Sequence, residues 1–345
     1  MHEKTVDMLI VGGGLAGSLL AWQCIQQGKK IHLIFDPKTP SASKVAAGII
    51  NPVTGQRLVL QNNARTLLNT CKSYYQSLGA HFNTTFFFEK PMLRYLRNAK
   101  EAVAWEKRRA NPDYDDYLEE TDDPKVILQH HTGYLDTQAL LCKLHHEFKH
   151  QGVLEHATMQ CDEIDMYASH IRWRHITAQR IIFCEGWRGQ NNPWFRYLPF
   201  QPAKGEILDL KTSSISPEYI INCGRWLLAT HDGRLRLGAT YDVQQPLNEW
   251  ISPQAKDTLL ADLKDMPISL EDIEVVQQQA GIRPNTLDKQ PFLGFHPKHH
   301  ALGIFNGFGS KGSMLIPYYA GVFIEHIQQQ KLLPKSVDIQ RFTCA

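Results

Sequence analysis

Gly12, Gly14 and Gly17, with Asp36 standing 19 residues beyond the last of them, have the types and spacing to hold the pyrophosphate of a dinucleotide. Gly12 permits a tight turn, Gly14 lets the backbone approach the phosphates, and Gly17 lets a helix pack closely on a strand. Leu15, Ala16 and Gly17 open that helix, whose free N–H groups and positive dipole end favour an anion. Asp36 supplies a carboxylate for the hydroxyls of a ribose. The surrounding pattern provides the elements that must position these residues. An apolar run over 6–11 leads into the glycines, a helical pattern follows, and a second apolar strand closes at Asp36. Small Ala21 and Gly28 continue the pattern where the helix lies on the sheet and then stops. Other candidates for chemistry are weaker. His130-His131, His145-His146, His299-His300 and the helical spacing Cys142/His146/His150 offer ligands without a carboxylate pattern or a second cluster, so no metal is expected. No Ser-His-Asp or phosphate-loop pattern accompanies them.

A chain of 345 residues exceeds one compact core and predicts two domains. With 37 basic against 35 acidic residues the net charge is +2, which argues against nucleic acid as the main partner. The cysteines at 24, 71, 142, 161, 184, 223 and 344 are scattered and form no CxxC pair, so they read as reduced thiols of a cytoplasmic protein. No stretch has the length of a membrane span, and the glycine turn interrupts the apolar 8–22, which Glu3 and Asp7 precede, so it is not a signal peptide. The terminal Thr-Cys-Ala is no peroxisomal address. Periodicity predicts helices over 64–78, 99–109, 137–150 and 253–265. Strands are predicted over 86–88, 92–96, 153–161, 170–173, 180–184 and 274–279. The stretch 37–43 and the acidic run 113–123 read as loops, 200–241 as strands with short turns including Asp232-Gly233, and 304–330 as a glycine loop followed by a helix.

Four further stretches follow the glycine motif in a fixed order. They are Ser43-Lys44-Val45-Ala46-Ala47-Gly48-Ile49, then Ile181-Ile182-Phe183-Cys184-Glu185-Gly186-Trp187, then Pro202-Ala203-Lys204-Gly205-Glu206. The last is Gly281-Ile282-Arg283-Pro284-Asn285-Thr286-Leu287-Asp288, with Pro291, Gly294 and Gly307-Phe308-Gly309-Ser310-Lys311-Gly312 behind it. Together they cover nearly the whole chain, which resembles the D-amino-acid oxidase superfamily of FAD-dependent amine oxidases, the group of glycine oxidase and sarcosine oxidase. The matching family patterns are S/T-x-x-A-A-G, V-V-x-A-x-G-x-W, P-x-K-G-E and G-L-R-P-x-T-x-D-x-x-P-x-I-G with a closing G-H-x-x-N-G loop. The chain departs from them at Glu185, where a small residue is usual, and at Ser310, where some relatives carry a basic one. The segment 51–57 is unlike glycine oxidase and follows the flavin stretch closely enough to line a pocket.

The resemblance implies an α/β fold: a Rossmann-like FAD-binding domain with a mixed or parallel sheet, plus a substrate domain on an antiparallel sheet. The expected division is 1–85, 133–200 and 280–345 for FAD and 86–132 with 201–279 for substrate. Non-covalent FAD is expected, since no cysteine stands at a tethering position. Cofactor contacts are implied for Gly12, Gly14, Leu15, Ala16, Gly17, Asp36, Ser43, Ala46, Ala47, Gly48, Ile49, Met159, Gly186, and for Phe308, Gly309, Ser310, Lys311, Gly312 and Ser313. Ala46-Ala47-Gly48 is small enough for main chain to lie against a flat ring. The 307–312 loop precedes a helix, so its N–H groups suit the charge that builds on a reduced flavin. Arg283 is implied as the carboxylate clamp, for which a planar fork suits better than an ammonium, and Tyr241, Trp226 and Lys311 join it on the substrate side. The implied partners are an amine or amino-acid substrate and oxygen or another electron acceptor; oligomerisation stays open. The implied reaction is oxidation of a C–N bond by hydride transfer to flavin N5. A quinone- or protein-linked dehydrogenase, an oxidase of a modified tRNA base, and a non-catalytic FAD-binding sensor or assembly subunit stay open beside it.

Overall fold

The computed structural model describes residues 3–214 and 217–342, and its contacts divide the chain into two units. Met1–Lys44, Thr137–Ala203 and Ile282–Ala345 form the first; Val45–Asp136 and Lys204–Gly281 form the second. The fold is α/β, with a largely parallel sheet in one unit and a largely antiparallel one in the other.

In the first unit the parallel strands lie in the spatial order Leu154–His156, Ile31–Phe35, Lys4–Val11, Ile176–Phe183, Leu302–Asn306. Their middles are continuous apolar runs (Leu9-Ile10, Leu33-Ile34, Ile181-Ile182) with no exposure at all, as strands covered on both faces require. Each such side chain contributes about 1.5–3 kcal/mol of burial energy. Antiparallel strands Ile164–Met166, Ile171–Trp173 and Phe292–Phe295 extend the sheet. Register matters for the site. Val11 lies opposite both Ile34 and Phe183, and Phe183 opposite Ile304, so Gly12, Asp36, Cys184 and Gly307 all leave the sheet along one edge. The helices Leu15–Gln26 and Gly312–Gln329 start near that edge and are tied by Gln23 Nε2 donating to Pro317 O at 2.9 Å.

The second unit's large sheet has the order Glu274–Arg283, Ala203–Lys211, Leu235–Gly238, Arg225–Ala229, Ile220–Cys223, Met92–Tyr95, Val126–Gln129, Leu118–Glu120. Leu259 and Leu263 of the helix Pro253–Lys264 pack on its Leu208, Leu210, Leu227, Leu235 and Leu237. A small sheet joins Ile49–Ile50, Gly133–Leu135 and Phe87–Glu89. The Asp232-Gly233 turn closes the hairpin between Arg225–Ala229 and Leu235–Gly238, with Gly233 at φ +83.

Several expectations are corrected. The segment 45–85, assigned with the nucleotide-binding parts, belongs to the second unit, because Ile49–Ile50 pairs with Gly133–Leu135 there. The acidic run 113–123 is not all loop: buried Leu118 anchors the edge strand Leu118–Glu120 against Val126–Gln129. The loop over 37–43 ends in a helical turn, Ala42–Val45, and 304–306 are the end of a strand rather than loop. Met159 lies past its strand, which stops at His156 because its partner Ile31–Phe35 ends and turns away at Asp36. The strand expected over 274–279 runs on to Arg283. Cys344 lies outside the described residues.

Candidate functional site

The glycines of the turn are required for different reasons. Gly12 has φ +116, and a Cβ there would stand 2.3 Å from Cys184 O; at Gly17 it would stand 1.9 Å from Gly12 O. At Gly14 the nearest atoms to such a Cβ are the Ser41 and Ser43 hydroxyls at 3.4 Å, so this side of the turn is open and polar. Ser43 Oγ accepts from Leu15 N at 3.0 Å, while Ala16 stays partly exposed at the helix start. Gly13 is backed by the Phe35 ring, which packs against His145 at a tilt of 38° with centroids 4.6 Å apart. His145 Nε2 lies 3.0 Å from Ser18 Oγ, which donates to Gly13 O at 3.3 Å. Burial pushes His145 down to about 4, so a neutral ring stands behind the turn at pH 7. Asp36 accepts from Lys38 N at 2.9 Å and Thr158 Oγ1 at 3.4 Å, and it keeps acceptor capacity for a diol. An open glycine cradle at a helix start with a carboxylate at the next strand's end fits the diphosphate and ribose of a dinucleotide.

Two more strand ends complete this edge. Asn306 Nδ2 donates to Gly186 O at 2.9 Å, and its Oδ1 accepts from Gly307 N at 2.8 Å, so one buried amide ties the two loops together. Glu185 accepts from Asn192 Nδ2 at 2.9 Å, and burial raises its pKa. Gly307 (φ +79) and Gly309 (φ +56) shape the closing loop, where Gly309 N donates to Pro284 O at 3.2 Å. A Cβ on Gly309 would stand 2.7 Å from Asn285 Oδ1. The loop runs into the helix Gly312–Gln329, with Ser310 exposed and Ser313 buried. Phe308 turns its ring into the core against Phe305, 4.8 Å between centroids, leaving only main chain for a cofactor. Lys311 is half-buried, and burial followed by the Lys289 charge lowers its pKa. Arg283 ends its strand immediately before Pro284, and its carbonyl accepts from Asn285 N at 2.9 Å. Met159 packs partly buried against the first unit's core.

Within the second unit, Gly48 takes φ +70, and a Cβ there would stand 1.9 Å from Leu135 O. Ala46 is exposed, Ala47 buried and Ile49 half-buried; Ala47 packs with Tyr134 and Met92, and Trp226 joins the cluster. Trp226 lies opposite Gly238 and its ring covers the space where a Cβ would be, 2.4 Å away. Tyr241 falls beyond the end of its strand and is 64% exposed. The segment 51–57 is fixed by Arg94, whose guanidinium donates to Gly55 O at 2.9 Å, and by Asn51 Oδ1 accepting from Val53 N at 2.9 Å. Lys204 and Glu206 of the P-x-K-G-E stretch are a structural brace for the 248–252 segment. Sequence reasoning missed His145, Asn306 and the Asp209–Arg236 pair. Only Asn306, next to the closing glycines, carried a local signal. Among the described residues no group of three or more His, Cys, Asp or Glu side chains is placed to hold a metal ion, and no helix is long and apolar enough to cross a membrane.

A parallel sheet with a glycine cradle at its carboxyl edge, joined in one chain to a unit built on an antiparallel sheet, defines a two-unit dinucleotide-binding architecture. The model of the FAD dependent oxidoreductase family matches residues 7–325, and the chain belongs to that family, within the D-amino-acid oxidase superfamily; its cofactor is FAD. It is 26% identical, over 96% of its length, to 53% of a bifunctional protein ThiO/ThiG of Synechocystis sp.. It is 21% identical, over 92% of its length, to 52% of the tRNA 5-methylaminomethyl-2-thiouridine biosynthesis bifunctional protein MnmC of Acinetobacter baylyi. The chain therefore spans about half the length of these two relatives. In fold it is similar to a glycine oxidase from Geobacillus kaustophilus, with TM-score 0.83 at 18% identity and 99% of each chain covered.

Proposed function

We propose that this chain oxidises the C–N bond of an amino acid or a secondary amine, with FAD held non-covalently. The observation that carries this reading is the place of Arg283. The residues directly after it, Pro284 and Asn285, brace the Gly307–Gly309 turn, with Gly309 N donating to Pro284 O at 3.2 Å. A permanently charged fork thus stands in the segment that shapes the loop assigned to the flavin, and such a fork grips a carboxylate at two points. When bound, FAD would supply a two-electron acceptor for the hydride from the substrate's α-carbon, to be reoxidised by oxygen. Arg283 anchors the carboxylate and so orients the α-carbon. Main-chain N–H groups at the start of the last helix, Gly312–Gln329, stabilise negative charge on the bound ring. Lys311, lowered by burial, gives up a proton nearer neutral pH than a surface lysine does. An amine that binds neutral needs no protein base. Gly12, Gly14, Leu15, Ala16, Gly17 and Asp36 are assigned to the diphosphate and ribose, Met159 and Gly186 to the adenosine side, and Ser43 and Ala46–Ile49 to the ring. Trp226 and Tyr241 are assigned to the substrate. Burial raises the Cys24 and Cys71 thiols to about 12, which fits inert reduced thiols.

The test is an anaerobic titration of the yellow protein with D-amino acids, glycine, sarcosine and L-proline. Bleaching of the flavin bands by one of them is expected, and readmitted air separates an oxidase from a dehydrogenase using a quinone or protein acceptor. Arg283→Ala is expected to keep FAD and lose bleaching. A protein that retains FAD but bleaches with no amine would overturn the amine reading in favour of a non-catalytic FAD-binding role. A second reading, oxidation of a modified tRNA base, is favoured by the similarity to MnmC along 92% of the chain and opposed by the net charge of +2. Salt-dependent tRNA binding would select it.

A further inference from the structure

We propose that Arg236, braced by Asp209, is a positioning residue for the flavin: it holds the main chain of 45–48 in the shape that the ring packs against. This rests on the assignment of that stretch to the ring. Arg236 Nε donates to Asp209 Oδ1 at 2.8 Å, the two residues lie directly opposite in adjacent strands, and their side chains are only 5% and 6% exposed. The remaining donors leave the pair. Arg236 donates to Val45 O at 3.0 Å, to Ala46 O at 3.2 Å and to Gln279 Oε1 at 3.3 Å.

Burying an ion pair on the face of the sheet opposite Leu208, Leu210, Leu235 and Leu237 needs a reason, since replacing a buried ion pair by apolar residues of similar volume is often neutral or stabilising. What an apolar pair cannot do is satisfy the carbonyls of Val45 and Ala46. Val45 ends the helical turn Ala42–Val45 and Ala46 follows it, where C=O groups have no partner within the turn. Three residues after Val45 the chain bends at Gly48, whose carbonyl accepts from Leu135 N at 3.0 Å. The stretch is therefore pinned at both ends, by a guanidinium at 45–46 and by a strand at 48, with exposed Ala46 between the pins. The guanidinium grips both carbonyls at once because a planar fork presents parallel donors.

Arg236→Ala would strand Asp209 in the core, so the test uses the paired replacement Asp209→Leu/Arg236→Met, which keeps the volume and removes both charges. In the holoenzyme this variant is expected to melt normally, to release FAD on the order of tenfold faster on dilution, and to show altered visible circular dichroism of the flavin. Arg236→Lys keeps the charge without the fork and is expected to release FAD at an intermediate rate. Ala46→Leu, which adds bulk at the exposed position, reports on the assignment of the stretch itself. If Ala46→Leu accelerates release and the paired variant behaves as wild type in release and dichroism, the positioning role is overturned while the assignment stands. If neither variant moves either signal, the assignment fails and the proposal with it.

Discussion

A neutral imidazole stands behind the glycine turn and makes stability depend on pH. His145 is lowered by burial from the usual 6.5 to about 4, so the folded state resists its protonation while the unfolded chain accepts it. Its contribution to stability is complete above 6.5 and is lost as pH falls through that value toward 4. Urea midpoints recorded across this range are expected to drop, and His145→Gln, which keeps a polar contact to Ser18 without titrating there, is expected to flatten the slope. Glu185 works in the opposite sense. Burial raises its pKa, so its favourable contribution exists below the ordinary carboxylate value and disappears as pH rises through the raised one. Glu185→Gln is therefore expected to raise the melting temperature at pH 7 relative to pH 4, and an unchanged difference between the two pH values would show that the carboxyl is solvated. Asp36→Ala removes the acceptor at the second strand's end and is expected to weaken FAD about tenfold, measured by fluorescence of released flavin.

At the scale of elements, the 248–252 segment depends on one carboxylate. Glu206 is 2% exposed, accepts from Ser252 N at 3.0 Å, Ser252 Oγ at 3.1 Å and Gln278 Nε2 at 2.7 Å, and faces Lys204 Nζ at 3.2 Å. Removing one partner of such a buried pair costs about 3–5 kcal/mol. Glu206→Ala is expected to destabilise by that order and to speed hydrogen exchange over 248–252; an unchanged exchange pattern would show that the loop holds itself. Elements of this kind also mark what was legible beforehand. The helices Ala99–Arg109 and Thr137–His150 were readable to the residue, because their periodicity is local and Asn98 caps the first by accepting from Glu101 N at 3.1 Å. The glycine turn was readable because the spacing of its glycines between an apolar strand and a helical pattern is local, even though Gly12 is hemmed in by the distant Cys184. Ile49–Ile50 and Leu118–Glu120 were not, since two or three residues become a strand only when a distant partner arrives. The same holds for Asp209 and Arg236, which are 27 positions apart in sequence and meet only through strand register.

Neither unit of the molecule is a continuous piece of chain. The boundaries fall after Lys44, Asp136, Ala203 and Gly281, and the first unit's parallel sheet draws its strands from residue 4 to residue 306. Each unit nevertheless has its own core, one around Trp173, Phe183 and Phe292, the other around Leu208, Leu227 and Leu237. The glycine turn, Asp36, Gly186 and the 307–312 loop, which we assign to the cofactor, all belong to the first unit, so most of the cofactor's binding energy is expected there. Mass action then predicts an unequal effect. Free FAD at 100 times its dissociation constant stabilises the state that binds it by about 2.7 kcal/mol, and a unit of this size gains about 2–4 °C per kcal/mol. Calorimetry of the protein stripped of FAD and then resupplied is expected to show the transition of the first unit moving up by about 5–10 °C. Hydrogen exchange in the strands Lys4–Val11 and Ile176–Phe183 is expected to slow in parallel, more than in Ala203–Lys211. A shift confined to the second unit's strands would place the binding energy away from the glycine turn and overturn its assignment to the diphosphate.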